Sequence, residues 1–534
     1  MTSNKIEIYD TTLRDGGQAE GIAFSPNDKL KVIHLLDELG VDYIEAGWPG
    51  ANPKDIEVFE QARNLNLKHA KVTAFGCTRK ANGNAETDPV LNQLISAGTD
   101  IITIFGKTWD FHVEHALCTT LEENLNMIYD SVAFLKSKGK RVFFDAEHFY
   151  DGYKNNSEYA LKAIEAAHKA GAGRIILCDT NGGCLPTEIK AITEAAKNFL
   201  PEAVLGIHAH NDSDTAVANS IMAIQAGARH VQGTFNGYGE RCGNANLCSI
   251  IPALQLKLKF DLIDENIGHL VSVSRQISEI ANKKANDFAP YVGRSAFTHK
   301  AGVHASGVMK NSSTYEHINP ELVGNSRRIL ISDQAGTSSL KEKIARINLG
   351  IDLTNDDMRK VLERIKDLEW QGFTFEDADA SFELMVREVL GIKPHFFELK
   401  GFRVISDTRG IGPLNTEASV KVKVGNEILH RVSEGEGPGH ALDSAVRLAL
   451  KPFYPKIENF KLTDFKVRIL DGTDGTSAKT RVHVETSDGY NRWDTVGVSR
   501  NIIEAAYFAI VDSLDYGLLM QKETPQNKQT LNPV

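Results

Sequence analysis

The length and composition of the chain indicate a globular protein of several domains. It has 534 residues, of which 42% are hydrophobic and 24% charged, and two or three domains are expected for that length. The 60 Lys and Arg residues against 70 Asp and Glu give a net charge of −10, and no long basic run offers a surface for nucleic acid or membrane. The six cysteines form no CxxC pair, and no apolar stretch reaches membrane-spanning length. A cytoplasmic protein without a nucleic-acid or membrane partner is therefore expected.

The first half of the chain alternates short β-rich runs with helix-patterned segments, which predicts repeated βα units around a parallel sheet. Amphipathic segments such as Pro26–Leu39 and Leu121–Lys136 supply the helices. The eight β-rich runs are Ile6–Tyr9, Tyr43–Ala46, Lys71–Phe75, Ile101–Phe105, Arg141–Phe144, Arg174–Leu177, Val204–His208 and Val231–Thr234. A closed (β/α)8 TIM barrel over residues 1–275 fits this number and spacing, so the predicted fold class is α/β.

Two further regions follow the predicted barrel. Residues 276–400 are mostly helical in pattern and are predicted to form a linker region packed on the barrel. Residues 401–520 contain an internal repeat, in which Ala418–Leu450 and Lys479–Leu514 each have the pattern strand, turn, strand, helix. This repeat predicts a pseudo-symmetric α+β accessory domain, and the polar segment 521–534 is predicted to be disordered.

Polar residues follow the first predicted strand, at the end of the barrel where active sites of this fold lie. The segment from Asp10 to Gln18 places Arg14 beside Asp15. An isolated Arg-Asp pair is commonly a structural ion pair, and that alternative stays open here. The pair gains significance only together with polar groups at the ends of other strands.

A candidate metal site involves the seventh strand. His208 and His210 are two residues apart, so both imidazoles point to one side of the strand, toward a centre shared with Asp15. Hydrogen-bonded histidines at a strand end are the alternative. A glycine-rich turn after strand eight either brings Asn244 to the same centre or is needed for backbone geometry alone. Such oxygen and nitrogen ligands suit Mg²⁺, Mn²⁺ or Zn²⁺.

The same residues carry a family resemblance. The runs DTTLRDGGQ (10–18), HAHND (208–212) and GERCGNANL (239–247) resemble the signature motifs of the DRE-TIM metallolyases, which include the 2-isopropylmalate, homocitrate and citramalate synthases. The resemblance continues through FTHKAGVHASGV (297–308) and TYEHINPELVG (314–324). It implies that Asp15, His208 and His210 are metal ligands and that Asn244 is a weaker fourth ligand.

Within this family, three longer tracts are most similar to the citramalate synthases: YIEAGWPGANPKD (43–55), FFDAEHFYDGYK (143–154) and LCDTNGG (177–183). That resemblance implies condensation of acetyl-CoA with pyruvate and water to citramalate and CoA, the first step of the pyruvate route to isoleucine. The tract around Trp48, Pro49 and Gly50 differs from that expected in isopropylmalate synthases.

The resemblance also implies the roles of individual residues. Arg14 would stabilise the developing alkoxide, Thr180 would bind the carboxylate of the oxo acid, and Glu147 would orient the acetyl group or accept its proton. For Glu147 an ion pair with Arg14 is a compatible alternative, and the neighbouring His148 is expected to be structural. His304 and Tyr315 follow the barrel and would reach the active site of a partner subunit in a homodimer, with His304 as base or water activator and His299 as a weaker candidate.

Three other functions remain to be separated from this one. A 2-isopropylmalate or homocitrate synthase differs only in the side chain of the oxo acid. A retro-aldol lyase of the HMG-CoA lyase type shares the barrel and the metal motif but lacks the repeated C-terminal domain. A catalytically silent amino-acid sensor would not need Arg14, Asp15 and Glu147 together with His208, His210 and His304.

The accessory domain resembles the LeuA-type regulatory domain of leucine-pathway synthases, which implies binding of a branched-chain amino acid. Isoleucine is the expected effector, because it is the end product downstream of citramalate. A dimerisation domain without a ligand is the alternative, since fold alone does not establish a site.

Overall fold

The computed structural model separates the chain into two compact units. The first comprises residues 1–298 and 316–328, and the second comprises residues 299–315 and 329–534. The structure describes residues 4–50, 52–299, 304, 307–308, 310–329, 340, 343–344, 347, 349–351, 353–375, 378–407, 415–470, 477–489 and 491–523.

Eight parallel strands in the first unit close into a barrel in sequence order, and the last strand pairs with the first. They are β1 Glu7–Asp10, β2 Tyr43–Gly47, β3 Lys71–Cys77, β4 Ile101–Lys107, β5 Arg141–Glu147, β6 Arg174–Asp179, β7 Leu205–Ala209 and β8 His230–Gly233. Each of the eight predicted β-rich runs overlaps one of these strands. The predicted (β/α)8 barrel is therefore confirmed.

Eleven helices of the first unit are α1 Pro26–Leu39, α2 Pro53–Ala62, α3 Pro89–Ser96, α4 Asp110–His115, α5 Leu121–Ser137, α6 Phe149–Asn155, α7 Ser157–Ala170, α8 Pro186–Phe199, α9 Ala216–Gln225, α10 Leu247–Pro252 and α11 Leu270–Ile280. Local sequence explains their ends, as α1 illustrates. The Ser25 hydroxyl accepts a hydrogen bond from the Asp28 backbone N–H, and the Asp28 carboxylate accepts one from Ser25 N–H. Gly40 ends this helix with a φ of +93°, a conformation that favours glycine.

The barrel interior is filled by side chains, so its polar cavity is confined to one end. Tyr9, Tyr43 and Phe143 form part of a buried cluster inside the strands, and the Tyr43 and Phe143 rings meet edge to face at 5.1 Å. At the N-terminal end of the strands, Arg174 donates to the Glu7 carboxylate at 2.6 Å and closes that end with an ion pair. The C-terminal end is left for the candidate site.

The second unit contains two three-stranded antiparallel sheets. Two-residue strands, β9 Thr298–His299 and β10 Arg328–Ile329, lie at the sequence boundaries between the units. The remaining elements are helices α12 Asn355–Gln371 and α13 Asp379–Val389, strands β11 Glu398–Asp407, β12 Asn415–Val424 and β13 Glu427–Gly435, helix α14 Pro438–Leu450, strands β14 Lys461–Ile469, β15 Thr480–Ser487 and β16 Arg492–Ser499, and helix α15 Ile502–Glu523.

The internal repeat is larger than the sequence pattern predicts. Each copy has three strands and a helix, because β11 and β14 precede the predicted hairpins and pair with β12 and β15. The two added strands lie at sheet edges and are mostly exposed. Helix α15 extends through Glu523, and the rest of the predicted disordered tail, 524–534, lies outside the described residues. No helix among the described residues is both long and apolar enough to cross a membrane.

Candidate active site

A cavity of about 230 Å³ opens at the C-terminal ends of the barrel strands. Its lining divides into three arcs around the barrel. Metal-ligand types come from β7 and from the segments after β1 and β7. Aromatic side chains come from the residue after β2 and from β3 and β4, and Glu147 and Thr180 come from the end of β5 and the residue after β6. The cavity thus combines charged, aromatic and hydroxyl groups in one place.

Asp15, His208 and His210 form a possible metal site, and all three side chains are buried. The His208 and His210 Nε2 atoms are 3.3 Å apart, and Asp15 Oδ2 lies 3.5 Å and 3.9 Å from them. Ligand atoms bound at about 2.1 Å to one cation are themselves about 3 to 3.5 Å apart. The triangle therefore matches a divalent metal site after small adjustments of the side chains.

Two observations show that these residues fit a cation. The buried acceptors Asp15 Oδ1 and Asn244 Oδ1 find no hydrogen-bond donor among the described residues. Burial acts to raise the pKa of Asp15, but Arg14 and the two imidazoles outweigh it and lower the pKa to about 2. Burial and the neighbouring His208 lower the pKa of His210 to about 4, and burial also lowers the pKa of His208. A carboxylate and two neutral imidazoles are the protonation states that metal binding requires.

The orientation of His208 is fixed from behind by Gln232 on β8. His208 Nδ1 lies 2.9 Å from Gln232 Oε1, and Gln232 Nε2 donates to Asp145 Oδ1 at 3.0 Å. The amide oxygen of Gln232 accepts a hydrogen bond, so it selects the tautomer with the proton on Nδ1. The Nε2 lone pair of His208 is then directed to the centre shared with Asp15 and His210.

Arg14 is held rigidly at the cavity by three neighbours. Its Nε donates to Glu45 Oε2 at 2.5 Å, its Nη1 lies 3.1 Å from Asp15 Oδ2, and its guanidinium carbon lies 3.8 Å from the centre of the Phe75 ring. Glu45 is fully buried and also accepts hydrogen bonds from Tyr9 and Thr11. Arg14 therefore presents a fixed positive charge, and its ion pairs make it part of the site as well as of the structure.

Glu147, at the end of β5, does not pair with Arg14 as the sequence-based alternative supposed. Its partner is Lys107, at the end of the neighbouring strand β4. Both strands end at the cavity, and the pairing leaves Glu147 among the lining residues. The two carboxylates that hold Arg14 are instead Glu45 and Asp15.

Thr180 lines the cavity at the end of β6 with a hydroxyl whose acceptor side is already used. Its Oγ1 accepts a hydrogen bond from the His148 backbone N–H at 2.9 Å, which leaves the hydroxyl hydrogen for another acceptor. The His148 ring turns away to Asp151, with 3.2 Å between Nδ1 and Oδ2. This contact agrees with a structural role for His148.

An aromatic wall, defined as Trp48, Phe75 and Phe105, forms the apolar side of the cavity. The Phe75 and Phe105 rings are stacked with centres 5.6 Å apart. Trp48 meets both rings edge to face, at 5.8 Å and 5.9 Å. Three consecutive strand ends therefore supply one continuous apolar surface.

His304 and Tyr315 both belong to the second unit. Their rings lie against one another with centres 4.3 Å apart, and Tyr315 is 46% exposed. The two residues that the sequence analysis grouped are thus neighbours in space.

Comparison with known proteins covers nearly the whole chain. Residues 5–277 match the HMGL-like family, 291–372 match the homocitrate synthase post-HMGL domain-like family, and 376–518 match the LeuA allosteric (dimerisation) domain. The (R)-citramalate synthase of Aquifex aeolicus (strain VF5) is 53% identical over 523 residues, which are 98% of this chain and 99% of that protein. The chain belongs to the citramalate synthase family.

Other citramalate synthases are more similar to this chain than a 2-isopropylmalate synthase is. Four more curated (R)-citramalate synthases are 46% to 53% identical, whereas the 2-isopropylmalate synthase of Methanocaldococcus jannaschii is 32% identical over 96% of this chain and 94% of its own length. A solved hydroxymethylglutaryl-CoA lyase from Pseudomonas aeruginosa is 19% identical, covers 55% of this chain and 97% of that chain, and has a TM-score of 0.45.

In this member of the citramalate synthases, most of the predicted site residues meet at one cavity. It is lined by Arg14, Asp15, Glu147, Thr180, His208 and His210. Asn244 forms an isolated β-bridge with His210 at its edge. Glu45, Gln232 and Lys107 were not predicted, and neither was the aromatic wall. The signal for Glu45, a carboxylate near the end of an otherwise apolar strand, was present in the sequence.

Proposed function

We propose that the protein is a metal-dependent citramalate synthase that condenses acetyl-CoA with pyruvate and water to give citramalate and CoA. The similarity to five (R)-citramalate synthases over nearly the full chain carries this proposal. The cavity supports it, because a possible metal triad, a fixed cation and a carboxylate lie around one space. The names of these relatives indicate the R product.

Asp15, His208 and His210 would hold the divalent cation, with Asn244 Oδ1 as a further oxygen donor. The cation supplies Lewis-acid polarisation of the carbonyl group of the oxo acid. Mg²⁺, Mn²⁺ and Zn²⁺ all accept such ligands.

Arg14 acts where negative charge develops on the former carbonyl oxygen of pyruvate. Its guanidinium is positioned before reaction by Glu45 and Phe75, so little reorganisation is needed as the charge forms. Thr180 donates its hydroxyl hydrogen to the carboxylate of pyruvate. These two groups hold the oxo group and the adjacent carboxylate of the substrate.

Glu147 acts on the methyl group of acetyl-CoA, either as the base that accepts its proton or as the group that orients it. The ion pair with Lys107 keeps the carboxylate in one position at the cavity. General-base catalysis requires such a carboxylate within reach of the transferred proton. Carbon-carbon bond formation then gives citramalyl-CoA, and hydrolysis of its thioester releases CoA and makes the reaction effectively irreversible.

His304 and Tyr315 complete the proposal as residues that serve the active site of the partner subunit in a homodimer. His304 would activate the water that hydrolyses the thioester or act as a base, and His299 is the weaker candidate. Their mutual contact supports a shared role. The match to the LeuA allosteric (dimerisation) domain supports the dimer and an isoleucine effector.

Release of free CoA with three oxo acids tests the proposed reaction. Pyruvate, 2-oxoisovalerate and 2-oxoglutarate distinguish a citramalate, an isopropylmalate and a homocitrate synthase. We expect pyruvate to have the highest kcat/KM, and a preference for either larger acid would contradict the proposal. Cleavage of a carbon–carbon bond in the acyl group of an acyl-CoA, without condensation, would indicate a retro-aldol lyase instead. A cytoplasmic location remains part of the proposal.

A further inference from the structure

The aromatic wall differs in chemistry from the rest of the cavity. Apart from Cys178, the other described lining residues carry charged or polar side chains. A hydrocarbon substituent on the oxo acid is accommodated at lowest desolvation cost against the aromatic rings. The wall is therefore the surface that meets the side chain of the substrate.

The rings of the aromatic wall have little space to move away from a larger substituent on the oxo acid. Phe75 is only 6% exposed and lies between the Arg14 guanidinium and the Phe105 ring. Moving Phe75 would disturb the ion pair between Arg14 and Glu45. Close packing of this kind makes a pocket sensitive to a change of one methylene.

Trp48 is fixed through its backbone just beyond the end of β2. Its N–H donates to Asp55 Oδ2 at 2.9 Å, and Asp55 Oδ1 accepts a hydrogen bond from Lys29 at 2.5 Å. The preceding Gly47 has a φ of +157°, and a Cβ there would lie 2.4 Å from the Asp55 carboxyl group. Glycine at 47 thus allows the carboxylate to reach the Trp48 N–H and to fix the start of the Trp48-Pro49-Gly50 tract.

We propose that the aromatic wall restricts the side chain of the 2-oxo acid to methyl, with Trp48 as the residue that sets the size limit. This inference rests on the proposed function and explains it further. Trp48 is the largest member of the wall and reaches across both phenyl rings. Replacing the indole by a smaller group opens space for an ethyl or isopropyl substituent, whereas the metal triad and Arg14 remain in place.

The test compares the full-length, metal-loaded wild type with Trp48→Phe, Trp48→Leu and Trp48→Ala. For each protein, kcat/KM is measured with pyruvate, 2-oxobutyrate and 2-oxoisovalerate, and the Kd of each acid is measured by calorimetry without acetyl-CoA. One methylene in an apolar pocket changes selectivity by about 10-fold to 200-fold. We therefore expect the ratio of 2-oxobutyrate to pyruvate to rise at least about tenfold in Trp48→Leu and Trp48→Ala, in both kcat/KM and binding.

Trp370→Ala is the matched control, because Trp370 is 82% exposed and belongs to the second unit. Its selectivity should equal that of the wild type. If Trp48→Ala fails to fold, the Phe and Leu variants still test the role of Trp48, since both retain an apolar side chain that packs against the other two rings. Unchanged ratios in folded Trp48 variants of a pyruvate-specific enzyme would overturn the role of Trp48 alone. A wild type that prefers 2-oxoisovalerate would overturn the proposed function instead.

Discussion

His208 and Gln232 are joined by a contact of 2.9 Å between Nδ1 and Oε1, behind the face of the imidazole that meets Asp15 and His210. Gln232 is itself held by its donation to Asp145. The pair determines which nitrogen of His208 is free to bind a metal. Gln232, on the neighbouring strand, is therefore a positioning residue of the possible metal site.

Replacing Gln232 by Leu is expected to weaken divalent-metal binding by about 10-fold to 100-fold, because His208 loses the acceptor that fixes its tautomer. Competition between the full-length protein and a chelator for Mn²⁺ or Zn²⁺ measures this change. Gln276→Leu, an exposed change of the same type on α11, is the control. Equal metal affinity in both variants would contradict the positioning role.

The metal-free protein is expected to lose stability as the pH falls from about 6.5 toward 4, partly through His210. Burial and His208 lower the pKa of His210 to about 4, below the value of about 6.5 in an unfolded chain. The unfolded chain then binds this proton more readily, so the free energy of unfolding decreases by up to about 3 kcal/mol across this range.

Thermal unfolding of chelator-treated protein between about pH 7 and pH 4.5 measures this effect. His210→Gln should show a weaker pH dependence than the wild type. The exposed His269→Gln variant is the control and should follow the wild type. Parallel curves for wild type and His210→Gln would show that His210 does not contribute.

Glu147→Gln is expected to lower kcat by about 10²-fold to 10⁴-fold if the carboxylate accepts the acetyl proton. The Kd of pyruvate should change little, because the metal triad, Arg14 and Thr180 remain. Incorporation of deuterium from solvent into the acetyl methyl group separates the two roles left open for Glu147. Slow turnover with normal exchange would favour orientation of the acetyl group over proton transfer.

The matched control for this experiment is Glu158→Gln, because the Glu158 side chain is 79% exposed on α7. It should have wild-type turnover. Near-normal turnover of Glu147→Gln would contradict both roles.

Arg14→Ala and His304→Ala are each expected to lower turnover by orders of magnitude, and mixing the two should restore part of it. In a heterodimer with composite sites, one active site has both residues intact. Random pairing of subunits would give about a quarter of wild-type activity. Denaturing and refolding the mixed variants, or expressing them together, provides the sample. Failure to regain activity in demonstrated heterodimers would contradict a site shared between subunits.

Isoleucine is expected to inhibit the full-length enzyme and not a form that ends at residue 375. The truncation also removes α13, because this helix is held by residues of the deleted domain. Ser381 on α13 accepts a hydrogen bond from Val496 N–H and donates one to Asp512. Ending the chain at residue 400 would leave α13 without these partners. Initial rates with isoleucine, leucine and valine measure the response, and inhibition that survives truncation would contradict a regulatory role.

The sequence predicted the barrel and most of its cavity because both depend on local pattern. Strands of a closed parallel barrel are apolar runs at regular spacing, and their last residues meet at one end whatever the details of packing. His208 and His210 lie side by side at the cavity, as their separation and their position at the end of a barrel strand predicted. Membership of the citramalate synthase family was predicted from motifs that extend along most of the chain.

The contacts between strands were less accessible from sequence. Glu147 was considered a partner of Arg14, whereas its neighbour across the β4–β5 register is Lys107. Gln232 and Glu45 lie on strands other than those of the residues they support, so their roles depend on barrel geometry. The edge strands β11 and β14 were missed because they precede the repeated strand, turn, strand, helix pattern and pair with it only through the sheet register.

The separation of the cavity into arcs has an evolutionary consequence. The possible metal ligands come from β7 and the segments after β1, β7 and β8, whereas the aromatic wall comes from β3, β4 and the residue after β2. Trp48 contacts the other two rings of the wall, so its substitution leaves the possible metal ligands in place. Enzymes with this barrel are thus able to change the oxo acid that they accept through substitutions at a few positions. The residues that carry out the reaction are then inherited unchanged.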